Sequence, residues 1–134
     1  MIDPRPSVTR FVKGVAHAER ARGGSADGVD VAQRILTRLH EELGKLIGSA
    51  GFDILVARAL VLARRTHPVL DGVTASPDGR LTVEATASDP AALQEGSLAT
   101  VEHFMELLVV LIGEDLAMRL VRNIWPAASH GDKK

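Results

Sequence analysis

The sequence predicts a mainly α fold: a small bundle of three to four helices with one β-hairpin inserted at about residues 72–85. Three observations carry this. Apolar residues recur at three- and four-residue spacings through residues 29–47 and 98–124, the period of a helix with one buried face. Residues 54–66 are apolar almost all round, the pattern of a helix buried on most sides. Between the last two segments lies Ser76-Pro77-Asp78-Gly79, strong turn chemistry flanked by alternating apolar and polar residues.

Taken in order, the chain is expected to start disordered or extended around Pro4 and Pro6. Residues 8–22 can form a short amphipathic helix with Phe11, Val12 and Val15 on one side. The stretch Gly23-Gly24-Ser25-Ala26-Asp27-Gly28 costs too much backbone entropy for a helix. Residues 1–26 therefore read as a flexible, weakly basic segment, and 27–126 as the compact helical domain. Within 29–47, Ala32, Ile35, Leu36, Leu39, Leu43, Leu46 and Ile47 form the apolar face, and Gly48 stops the helix. Ser49 or Asp53 can accept the first N–H groups of the next helix. That helix, 54–66, is expected at the centre of the domain. Arg64-Arg65 suits the negative end of its dipole, and His67-Pro68 ends it.

The hairpin has a definite predicted register. With Pro77, Asp78 and Gly79 as the loop, Ser76 faces Arg80, Ala75 faces Leu81, Thr74 faces Thr82 and Val73 faces Val83. The apolar pairs then share one face and the threonines the other. A lone hairpin is marginal in water, so its apolar face must lie on the helices, with at least one strand edge left open. Asp89-Pro90 is a helix start. From there the longest stripe runs Leu98, Val101, Met105, Leu108, Ile112, Leu116, Leu120, Ile124, widened by Leu107, Val109, Val110 and Leu111. Gly113 allows either one kinked helix or two abutting ones. Trp125-Pro126 ends the pattern, and residues 127–134 read as a disordered tail.

Composition narrows the chemistry. A chain of 134 residues suits one domain that needs no covalent staple. Aromatic residues make up only 3%, namely Phe11, Phe52, Phe104 and Trp125, which nearly excludes base-stacking platforms. With no cysteine there are no disulfides, thiolate nucleophiles or cysteine-based metal centres. The first residues do not resemble a secretory signal, and the longest apolar runs fall far below the ~20 residues of a membrane span. The expectation is a cytoplasmic protein. The net charge of −1 hides a polarity. Residues 1–22 carry five bases against two acids, whereas residues 81–118 hold seven acids and no Lys or Arg.

Catalytic motifs are missing. Gly44-Lys45-Leu46 lacks the earlier glycine and the hydroxyl residue of a phosphate loop. His103 and Glu106, spaced i,i+3 beside Glu102, could share a metal, but one such pair falls short of a helical-bundle metal centre. These three read as the wet side of the long helix. No catalytic residue, cofactor or metal is expected. Arg58 is the only charge between Asp53 and Arg64 on the expected central helix, and a buried guanidinium needs an anion. Glu114 and Asp115 are its natural partners, which predicts a structural ion pair. A guanidinium reaching solvent and a small-anion site are the alternatives.

Two surfaces invite partners: the hairpin edge and the long helix. The arc formed by Met105, Leu108, Ile112, Leu116 and Leu120 is wider than one bundle contact requires. A second copy covering it would give an isologous homodimer. The expected function is a non-enzymatic interaction, regulatory or adaptor module that self-associates through its C-terminal helix. One alternative is an anion-binding protein or enzyme with a pocket between the central and C-terminal helices. Another is a nucleic-acid-associated regulator using the basic N-terminal segment, although a net +3 binds weakly and salt-sensitively. No membrane partner is expected.

Overall fold

A computed structural model describes residues 6–23, 30–76, 80–83 and 90–125. The order is α1 (Pro6–Gly23), α2 (Asp30–Ile47), α3 (Ser49–Arg64), a 3-10 helix (Pro68–Gly72), β1 (Val73–Ser76), β2 (Arg80–Val83), α4 (Pro90–Ile112) and α5 (Glu114–Ile124). The chain is thus a mainly helical bundle with one inserted hairpin. The described residues form five α-helices because α1 joins the bundle and Gly113 divides the long C-terminal segment. The expected tail at 127–134, the loop at 77–79 and Asp89 lie outside the described residues.

The flexible leader expected up to residue 26 gives way to a packed helix. Val8, Val12, Val15 and Ala16, on one side of α1, are all at most 2% exposed and belong to the same core as Leu36, Leu39 and Phe104. Their 4-3-1 spacing places them on one stripe, which packs against α2 and α4. Arg10, Lys13 and His17 point outward. Residues 1–5 and 24–29 lie outside the described residues.

The centre of the bundle also differs from expectation. It is α4, which contacts α1, α2, α3, α5 and the 3-10 helix. Helix α3 has one buried face, formed by Phe52, Val56, Ala59, Leu60 and Ala63, and its main neighbour is α4. Both helices are apolar nearly all round, but α4 is longer, 23 residues against 16, and α1 covers a side of it that has no counterpart on α3. At Gly96, α4 comes so close to the 3-10 helix that a Cβ would lie 3.0 Å from the Leu70 side chain.

Two junctions are built alike. Leu46-Ile47-Gly48 joins α2 to α3, and Leu111-Ile112-Gly113 joins α4 to α5. Gly48 has φ 83° and ψ 154°, and Gly113 has φ 94° and ψ 149°. Each glycine N–H closes the helix behind it (Gly48 to Gly44 O, 2.9 Å; Gly113 to Val109 O, 2.8 Å). Each glycine carbonyl opens the helix ahead, accepting from Phe52 N–H and Ala117 N–H at 3.0 Å. One residue therefore serves both helices while its positive φ with extended ψ redirects the chain, a conformation close to glycine-only that costs other residues on the order of 1–3 kcal/mol. Gly48 itself occupies the cap position of α3, and no side chain makes a cap hydrogen bond there.

The hairpin has the predicted register: Val73↔Val83, Thr74↔Thr82, Ala75↔Leu81 and Ser76↔Arg80. Val73 and Leu81 are buried against the helices, while the Ser76 and Thr82 hydroxyls meet at 3.2 Å on the other face. Its edges are less open than expected. The Leu81 N–H donates to Gln33 Oε1 of α2 at 2.6 Å. Arg64 donates from Nε to Leu70 O at 3.2 Å and from Nη2 to Val73 O. Helix side chains thus engage one outward backbone group on each strand, which blunts strand addition.

Candidate interaction surface

A helix that is apolar all round must turn some apolar residues outward wherever its neighbours stop. This happens in the last turn of α4. Leu108 and Val109 are buried, but Val110 is 73% and Leu111 59% exposed. Leu116, in the first turn of α5, is exposed too. Leu46 at the end of α2 is exposed in the corresponding place before the other glycine junction. On α3, Ile54 is 66% exposed, and Ala57 and Val61 accompany it on the outer face.

This changes the expected interaction stripe. Met105 and Leu108 are core residues, Ile112 and Leu120 are half-buried, and only Leu116 is on the surface. The stripe Met105–Leu108 is the face by which α4 packs into the bundle, and α1 supplies cover that the sequence pattern left unassigned. The apolar surface that remains on α4 is Val110, on the side away from Leu108, and Leu111, one turn beyond Leu108.

The expected ion pair is also displaced. Arg58, Glu114 and Asp115 are all exposed, so the Arg58 guanidinium is not buried within the chain. Arg58 sits on the outer face of α3 because the inner face is taken by Phe52, Val56 and Ala59. The open hollow around it is lined by Ile54, Ala57, Arg58, Val61, Leu62 and Arg65, without Glu114 or Asp115.

The buried polar groups lie elsewhere. Ser97, Thr100, His103 and Glu106, spaced every three residues, form a row along α4 and are at most 8% exposed. His103 and Glu106 are therefore not on a wet face. Thr100 Oγ1 donates back to Gly96 O at 3.0 Å, while the Ser97 hydroxyl is buried without a partner among the described residues. Glu102 is half-buried, and Thr9 Oγ1 of α1 donates to its Oε1 at 3.4 Å. Burial raises the Glu102 carboxyl above its ordinary value of 4.5, against weaker opposing pulls from Thr9, Lys13 and His67. Sequence reasoning missed this row because polar residues three apart on an amphipathic helix ordinarily face solvent. Among the described residues, no group of three or more His, Cys, Asp or Glu could hold a metal ion, and no helix is long and apolar enough to cross a membrane.

The raised Glu102 value fixes the sign of a pH effect. The fold favours the protonated form. That contribution is complete below the ordinary value of 4.5 and is lost as pH rises through the higher folded value. At neutral pH the carboxylate is a net cost. Glu102→Gln is expected to stabilise the protein at neutral pH by on the order of 0.5 kcal/mol, a small figure because solvent screens a half-buried charge. The gain should vanish in urea titrations run below pH 4.5. A gain of equal size at acid and neutral pH would refute the assignment to this carboxyl.

No protein-family model matches the chain, and neither a curated protein nor a solved structure shows significant similarity to it.

Proposed function

We propose that this protein is a non-catalytic interaction module, of the regulatory or adaptor kind, that self-associates through the corner where α4 meets α5. The observation that supports this reading is the exposure of Val110 and Leu111 in the last turn of α4, continued by Leu116. Adjacent large apolar side chains, rimmed by charged residues, mark association surfaces more than scattered single ones do. The buried stripe through Met105 and Leu108 is not the contact; it is already filled by the chain's own helices.

Light scattering at micromolar concentration is expected to give twice the 14.3 kDa chain mass. Leu111→Lys should return the mass to that of one chain with its helical circular dichroism unchanged. A wild-type protein that stays at the single-chain mass would overturn the reading.

A further inference from the structure

Resting on that reading, we infer that the α4–α5 corner of one copy seats on the outer face of α3 of a second copy. Glu114 and Asp115 of one then pair with Arg58 and Arg65 of the other.

Two exposed apolar faces exist, and their charged borders differ in sign. On α3, Ile54, Ala57 and Val61 fall at i, i+3 and i+7, a stripe one helix wide. Arg58 and Arg65 border it, both exposed. The single acid of α3, Asp53, is partly buried. Arg64, by contrast, is turned inward onto the carbonyls of Leu70 and Val73. The basic border of the outer face therefore consists of Arg58 and Arg65. At the corner, Leu116 follows directly on Glu114 and Asp115, both exposed in the first turn of α5. Helix α4 adds no compensating cation, since residues 81–118 contain no Lys or Arg. Arg119, one turn on, is the first basic residue that α5 supplies.

These signs select one arrangement. Corner against corner would bring Glu114 and Asp115 of both copies together, and α3 against α3 would oppose Arg58 to Arg58. Like charges facing one another across an interface oppose association. Corner against α3 places apolar side chains on apolar side chains and acids on bases. Two such contacts related by a two-fold axis close the pair. The guanidinium that lacks an acid within its own chain's hollow gains one from the second copy.

The test is sedimentation of full-length wild type, of Arg58→Glu/Arg65→Glu, of Glu114→Lys/Asp115→Lys, and of an equimolar mixture of the two variants. Each variant alone should self-associate about ten-fold or more weakly than wild type. The mixture should associate nearly as tightly as wild type, because each variant then meets a partner of opposite sign. If wild type associates and the variants match it, the proposed pairing is overturned while self-association stands. If wild type does not associate, the underlying reading fails instead. Folded variants whose mixture gains nothing also overturn the pairing. Should the α5 variant lose helicity, Arg58→Glu alone, in the middle of α3, still decides: association unchanged from wild type overturns the proposal.

Discussion

Phe52→Ala is expected to lower the unfolding free energy by about 3–5 kcal/mol, the range for removing a fully buried phenylalanine from a packed core. Phe52 is 0% exposed and stands where three helices meet. Its ring takes the edge of His40 from α2 at 5.0 Å with an interplanar angle of 82°, and meets Phe104 of α4 at 5.0 Å and 53°. His40 is itself held near α3, its Nε2 lying 3.3 Å from Ser49 Oγ. Truncation therefore opens a cavity and removes two aromatic contacts, each worth about 0.5–1.5 kcal/mol beyond area. Against a total stability of about 5–15 kcal/mol for a domain of this kind, that is a large fraction. Urea unfolding should show a lower midpoint with an unchanged slope. Glu41→Ala on the exposed side of α2 should stay within roughly 0.5 kcal/mol of wild type. Equal effects at Phe52 and Glu41 would contradict the described burial.

The second large effect tests whether α1 is part of the fold. Val12 is 2% exposed between Val8 and Val15, in the contact of α1 with α2 and α4. Val12→Asp places a carboxylate in that contact, and an unpaired buried charge is expected to cost roughly 3 kcal/mol or more. The protein can relieve this only by protonating the new carboxyl or by releasing α1. Release would also remove the Thr9 hydrogen bond from Glu102. Limited proteolysis should then cut within residues 6–23 of the variant and spare the same residues in wild type. Wild-type stability in the variant, by urea titration, would return residues 1–26 to the status of an unpacked leader.

How much of this was readable from the sequence depended on how local the determinant was. The hairpin register followed from residues 73–83 alone, since Pro77-Asp78-Gly79 and the alternation of Val73, Ala75, Leu81 and Val83 agree. The α2 face was equally plain, because its polar and apolar sides differ. Between α3 and α4 the pattern was silent: both are apolar nearly all round, so periodicity could not say which was central. Burial of Val8, Val12 and Val15 was hidden for a related reason. A stripe of three valines beside arginines and glycines looks weak alone, and its partner surface lies far along the chain. That one omission propagated. With α1 left out, Met105 and Leu108 looked uncovered; with α3 taken as central, Arg58 was placed inside rather than outside. The exposed residues that support the proposed surface, Ile54, Val110 and Leu111, could be identified only once the covered faces were known.

The bond from Thr9 to Glu102 joins residues 93 positions apart. On a ribosome adding roughly 5–20 residues per second, α1 emerges about 5–20 s before the segment it rests on. Throughout that interval its valines have only α2, the nearer of their two packing partners. The face of α1 that rests on α4 is therefore completed only after the hairpin and the start of α4 have been translated.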